Sequence, residues 1–163
     1  MQRIVVLGGG ESGCGSAVLA RVKGFDVFLS DRGSIAPKYR ELLEKWDIPY
    51  EEGRHTAGKI LSADKVVKSP GIPDKAPMVK AVRERGIPVI SEIEFAGAYT
   101  SARTICITGS NGKTTTTTLT YEILRQAGVN VGLAGNIGES FALAVATGNY
   151  DWYVIELSSF QLD

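Results

Sequence analysis

A lysine and two hydroxyls placed directly behind a glycine turn can hold and polarise a chain of phosphates. The stretch Gly109-Ser110-Asn111-Gly112-Lys113-Thr114-Thr115 has that makeup. Gly109 and Gly112 let backbone N–H groups wrap phosphate oxygens. Lys113 brings a point charge to the β- and γ-phosphates, the Thr114 hydroxyl can ligate Mg²⁺, and Thr115 can also face phosphate. The loop is shorter than G-x-x-x-x-G-K-[ST], with two residues between its glycines. Further on, the apolar run Tyr153-Val154-Ile155 ends in Glu156. On a neighbouring parallel strand that carboxylate would stand beside the loop, as the acid of a phosphate-binding fold stands by its Mg²⁺.

A second cradle lies near the N-terminus. Gly8-x-Gly10-x-x-Gly13 sits between a strand-like run and a helix-like one. Glycines there allow a tight turn, and the helix start offers free N–H groups to a diphosphate. Asp31 closes the next strand 18 residues after Gly13, where dinucleotide folds keep a ribose-binding acid. Ser69-Pro70-Gly71-Ile72-Pro73 follows another strand and can turn backbone groups into the same crevice; the plainer reading is a Pro-Gly turn. The residues alone leave the nucleotide open. An NAD-dependent oxidoreductase accounts for the first loop and not the second. A non-catalytic nucleotide switch accounts for the second and not the first.

The second loop runs into five threonines, Thr114–Thr118. Threonine costs roughly 0.5 kcal/mol against alanine inside a helix, so each needs a reason. Helix geometry puts Thr116 on one face with Leu119, Ile123 and Ala127, a face expected to pack on the sheet. Thr118 falls with Glu122 and Arg125 on a solvated face.

Around these loops strands alternate with helices. Strands are read at 3–8, 25–30, 64–69, 87–91, 103–108, 129–135 and 151–157; helices at 13–24, 37–46, 76–86, 113–127 and 139–146. Strands separated by helices mean βαβ units and parallel sheets. The expected fold is therefore α/β: a Rossmann-like parallel-sheet domain over 1–92, then the start of a P-loop-type ATPase domain over 93–163, joined near 91–102.

Bulk composition excludes several classes. Lys+Arg and Asp+Glu are both 18, so nothing argues for nucleic acid held by bulk charge. Apolar runs are too short for a membrane span or a signal sequence, and a cytoplasmic location is expected. Cys14 and Cys106 stand alone and are expected to be buried free thiols of a reducing compartment. His55, the single histidine, lies in a polar stretch and is expected in a solvent-exposed loop.

Taken together, "GSNGKTT" (109–115), "AGNIG" (134–138), "ELSSFQL" (156–162), "SPGI" (69–72) and the first glycine loop resemble the Mur ligases, ATP-dependent amide ligases of peptidoglycan synthesis. The pattern is most similar to the members that add D-glutamate to UDP-N-acetylmuramoyl-L-alanine; a sister ligase adding another amino acid is the rival. The resemblance implies that the first domain holds the UDP part of the substrate, not NAD. Gly8, Gly10, Glu11, Ser12 and Gly13 would then meet uracil and diphosphate, Asp31 and Arg32 would flank the uracil, and Gly71 would meet the diphosphate. Residues 109–115 would hold ATP, Thr114 and Glu156 would ligate Mg²⁺, and Asn136 would orient the UDP-sugar. Glu11 and Gly33 stand where the family tends to place an apolar residue and a basic one. The implied chemistry activates the substrate carboxylate as an acyl phosphate, which the D-glutamate amine attacks. Lys113, Asn136 and Glu156 would be the catalytic residues. The family's second-metal histidine, carbamylated lysine and amino-acid-binding domain have no counterpart here. The chain is therefore expected to be an N-terminal fragment, inactive by itself, with an unpaired sheet edge that favours self-association.

Overall fold

The computed structural model describes residues 1–161 apart from the Phe160 side chain; Leu162, last in the ELSSFQL motif, and Asp163 lie outside the described residues. The first part of the chain runs β1 (Arg3–Leu7), α1 (Glu11–Val22), β2 (Asp26–Ser30), α2 (Pro37–Lys45), β3 (Tyr50–Glu51), α3 (Ala57–Ile60), β4 (Lys65–Lys68), α4 (Pro77–Glu84) and β5 (Val89–Ser91). All five strands are parallel, in the order β3-β2-β1-β4-β5. Pro37 and Pro77 open their helices at the first turn, where a missing N–H costs nothing. The sequence of β1 explains its central place. Ile4 and Val6 pack under α1 with Cys14, Ala17 and Leu29, while Val5 and Leu7 pack on the other face with Ile60 of α3 and Val79 and Val82 of α4. A strand apolar on both faces belongs between two helix layers.

The chain continues through α5 (Glu92–Gly97), β6 (Arg103–Ile107), α6 (Lys113–Gln126), β7 (Val131–Gly135), α7 (Phe141–Thr147) and β8 (Trp152–Glu156) to a short 3₁₀ turn, Ser159–Gln161. Its sheet is parallel, in the order β6-β8-β7. This is the expected α/β class, with two parallel sheets following one another.

Several expectations are corrected. The join near 91–102 carries a helix that the sequence reading did not name: Ser91 caps α5 by accepting from Glu94 N at 3.1 Å, and Phe95 and Ala96 are buried in the main core. That core runs from Ile4 and Ala17 through Phe95 to Phe141, Tyr153 and Ile155, so one apolar cluster spans both sheets. Strand β3 and helix α3 were hidden in the polar Tyr50–Lys59 stretch, where two residues of pairing and a single helical turn leave no periodic signal. Cys106, on strand β6, is exposed; of the two cysteines only Cys14 is buried. In the threonine run the buried residue is Thr117, whose hydroxyl donates to Lys113 O at 2.6 Å. Thr116 is exposed, and Leu119 and Ile123 on its face are 59% and 58% exposed. The helix face against the sheet is therefore one residue round from the apolar stripe.

Candidate functional site

Both phosphate-type loops lie at carboxyl ends of parallel strands. In the first sheet the chain leaves β1, winds outward to β3 and returns to β4 on the other side of β1. The crevice beyond β1 and β4 is thus a topological switch point, where open α/β sheets bind ligands. The glycine loop after β1 and the Ser69-Pro70-Gly71 turn after β4 border it. Gly10 is the N-cap of α1 and has no side chain to close the helix, so the first-turn N–H groups stay available to an anion. Gly13 must be glycine, since a Cβ there would overlap the Gly8 carbonyl oxygen. Ser69 Oγ lies beside Gly8 and Gly13, is buried, and has no hydrogen-bond partner among the described residues. An unpaired buried hydroxyl under a glycine turn suits a polar ligand such as a diphosphate.

Asp31 does more than line the crevice. Its carboxylate accepts from Gly9 N and, at 2.7 Å, from Gly33 N. It braces the glycine loop from the end of β2 while also lining a cavity of about 840 Å³ with Gly8, Arg32 and Gly71. Glu11, Ser12 and Asn136 do not line that cavity; Glu11 and Ser12 stand on the first turn of α1.

The same cavity is lined by His55, a residue that sequence reasoning placed in solvent. It is half-buried, and its Nδ1 lies 2.7 Å from Ser30 Oγ. Ser30 Oγ also donates to Glu51 Oε1 at 2.8 Å. Glu51 is 6% exposed and accepts from Thr56 N at 2.7 Å and Thr56 Oγ1 at 2.6 Å. Burial pushes the Glu51 carboxyl up, but the hydrogen bonds from Thr56 and Ser30 outweigh it and hold the group below its ordinary value. Burial lowers His55, opposed in part by Asp31 and Glu51, so the ring is neutral at pH 7. With the Ser30 proton on the Glu51 carboxylate, the His55 proton sits on Nδ1 and Nε2 is left as an acceptor. The signal in sequence was weak: Ser30 and Glu51 come from separate strands and meet only through the β2–β3 pairing. Cys14, beneath the loop, is pushed up to about 12 by burial and by Asp31, and is a packing residue.

In the second sheet two segments converge on Glu156. The Thr114 hydroxyl, in the first turn of α6, donates to Glu156 Oε2 at 2.9 Å. Asn136 N, after β7, donates to Glu156 O at 3.1 Å. The β6-β8-β7 order makes this possible by placing the Glu156 strand between the strands that lead to the two loops. Gly112, the N-cap of α6, adopts φ +75°, a left-handed turn that points the helix start at the loop. Gly109, Ser110, Asn111 and Thr115 are exposed, and Lys113 is partly buried. A hydroxyl and a carboxylate in contact are hard oxygen donors that suit Mg²⁺, which takes one or two protein ligands and fills its octahedron with water and phosphate. No cluster of three or more metal-binding side chains occurs among the described residues.

No helix among the described residues is long and apolar enough to cross a membrane. Residues 2–91 match the N-terminal domain of MurD-like Mur ligases, and residues 107–163 match the Mur ligase middle domain. The chain is 68% identical over its full length to a UDP-N-acetylmuramoylalanine–D-glutamate ligase of Bacteroides fragilis, and 63% identical to one of Bacteroides thetaiotaomicron. It spans 37% of the length of each. Among solved structures, a murein peptide ligase from Psychrobacter arcticus superposes with TM-score 0.67 at 25% identity, over 98% of this chain and 39% of that one. The UDP-N-acetylmuramate–alanine ligase of Thermotoga maritima, at TM-score 0.65 and 22% identity over 97% of this chain and 37% of that one, shares the fold. With both sheets matched in order along the chain, this protein belongs to the Mur ligase family.

Proposed function

We propose that this chain is the UDP-substrate-binding domain (1–92) and the opening part of the ATP-binding domain (93–163) of a cytoplasmic ligase that joins D-glutamate to UDP-N-acetylmuramoyl-L-alanine. The observation that carries the reading is the Thr114–Glu156 contact at the head of α6, with the Asn136 loop bonded to the same residue. The names of the relatives support the choice of amino acid.

When bound, ATP supplies the γ-phosphoryl group that activates the substrate carboxylate, and Mg²⁺ neutralises charge on it. The chain's own residues do the rest. Gly109, Ser110, Asn111, Gly112 and Thr115 cradle the phosphates with backbone and hydroxyl donors. Lys113 places a positive charge where negative charge develops on the transferring group. Thr114 and Glu156 hold the metal. Gly8, Gly10, Glu11, Ser12, Gly13 and Gly71 line the path of the diphosphate, with Asn136 approaching it from the second sheet. Asp31 holds the glycine loop in shape. Arg32 borders the cavity that suits the uracil. Catalysis of this kind rests on holding two substrates in register, and the incoming amine has no site among the residues assigned here. We therefore assign binding to this chain and ligation to the whole enzyme. The edge of β6, unpaired among the described residues, and the exposed Leu119 and Ile123 support self-association of this chain.

The test is calorimetry of the 163-residue chain with UDP-N-acetylmuramoyl-L-alanine and with NAD. The UDP-sugar is expected to bind more tightly; tighter binding of NAD would overturn the assignment.

A further inference from the structure

We propose that Glu92 is a positioning residue for the UDP-substrate: its carboxyl ties α5, which leaves the first sheet, to the first turn of α7, and so holds the Asn136 loop in fixed relation to the glycine loop at the head of α1. This deepens the substrate reading above and rests on it, since the diphosphate is taken to touch both loops.

Glu92 is 2% exposed, a rare placement for a glutamate without a cation. Its Oε1 accepts from Ala142 N at 2.8 Å, fifty residues along the chain and in the other sheet's helix layer. The need for it can be read from α7. The first N–H groups of a helix have no partner within it. The Ser140 side chain takes only Leu143 N, at 3.3 Å. The Ala142 N–H, and the Phe141 N–H that also faces Glu92, are left for the carboxyl. Close packing locks the same joint, because Ser140 Oγ lies directly against Gly15 of α1.

The connection to the site is short. Between β7 and α7 the chain makes one tight loop, with Gly135 N donating to Glu139 O at 2.9 Å and Asn136 N donating to Glu156 O at 3.1 Å. A shift of the α7 start must pass into this loop, because it has no slack. Asn136 would then move relative to Gly8–Gly13.

The charged surroundings favour one protonation state. Glu11, on the first turn of α1, faces Glu92 as a like charge. Helix α7 carries no titratable side chain. Glu94 of α5 is exposed. On the outer side Lys68 of β4 and Arg83 of α4 are engaged by Asp74 at 3.5 and 3.1 Å. No cation is therefore committed to Glu92 among the described residues. Burial, reinforced by Glu11 and opposed by the Ala142 and Phe141 N–H groups, raises its carboxyl to about 7. Below that value the protonated group still offers its carbonyl oxygen to Ala142 N. Above it the ionised group is the better acceptor for the N–H groups of α7, but it is harder to ionise here than in water, so raising the pH through that value weakens the closed joint relative to an open one.

The experiment is calorimetric titration of the chain with UDP-N-acetylmuramoyl-L-alanine across neutral pH, for wild type, Glu92→Gln and Glu92→Ala. Wild-type affinity is expected to fall as pH rises through about 7. Glu92→Gln keeps a carbonyl acceptor and cannot ionise, so it should hold the low-pH affinity with that slope removed. Glu92→Ala loses the tie and should bind about tenfold more weakly at every pH, the loss expected for one buried hydrogen bond. His55 is present in all three proteins, so the differences between them report on Glu92. A Glu92→Ala protein that binds like wild type, or a Glu92→Gln protein that keeps the wild-type pH slope, overturns the proposal. Failure of the wild-type chain to bind the nucleotide overturns the substrate reading and this proposal with it.

Discussion

Replacing Glu51 by alanine tests the polar network beneath the cavity. The carboxylate accepts from Ser30 Oγ, Thr56 N and Thr56 Oγ1 at 2.6–2.8 Å, and it is 6% exposed. A hydrogen bond to a buried charged acceptor contributes about 1.5–3 kcal/mol. Three on one carboxylate are not additive, and the alanine leaves the Thr56 N–H without its acceptor. A net loss of about 3 kcal/mol follows, which at about 2–4 °C per kcal/mol for a chain of this size lowers Tm by about 6–12 °C. The pH dependence has a definite sign. The folded value of Glu51 lies below its ordinary 4.5, so its stabilisation is complete above 4.5 and is lost as pH falls through the folded value. Thermal unfolding followed by circular dichroism, at neutral pH and in a series down to acid, reads both effects. Glu51→Ala should melt lower at neutral pH and should converge on wild type in acid. A variant that melts within about 2 °C of wild type at neutral pH, less than 1 kcal/mol on the same scale, would refute the assignment of these bonds as stabilising.

Other changes separate packing from chemistry. In the whole ligase Lys113→Ala should cut the rate on the order of a hundredfold, about 3 kcal/mol of transition-state charge stabilisation, as measured by phosphate release. Thr116→Val should be silent in the same assay, whereas Thr117→Val should lower stability by about 1 kcal/mol in urea unfolding, because it removes the buried bond to Lys113 O. Gly13→Ala should abolish UDP-sugar binding in calorimetry, since the new Cβ would displace the Gly8 carbonyl and with it the loop. Paired Leu119→Gln and Ile123→Gln should reduce self-association in sedimentation velocity, as both side chains are more than half exposed.

The sequence by itself determined the class of fold and suggested the chemistry of its loops. Alternating strands and helices, each long enough to show its period, require parallel sheets, and glycine, lysine and threonine in order behind a strand need no tertiary information to read as a phosphate cradle. It also named Thr114 and Glu156 separately, because each ends or begins an element whose direction is fixed by the βαβ rule. Tertiary structure alone decided which residues meet. The order β6-β8-β7 puts Glu156 between the two loops, and strand order is not a local property. The inner face of α6 was misread because Thr117 is polar and Leu119 and Ile123 are apolar: hydrophobicity marks a stripe, while burial depends on which side the sheet lies. His55, Glu51 and Ser30 were invisible as a group, since polar residues on three separate segments carry no periodicity. Glu92, in the join near 91–102, went unnoticed for a related reason. Its partner is a backbone N–H of α7, and a backbone donor leaves no mark on the residue type that supplies it.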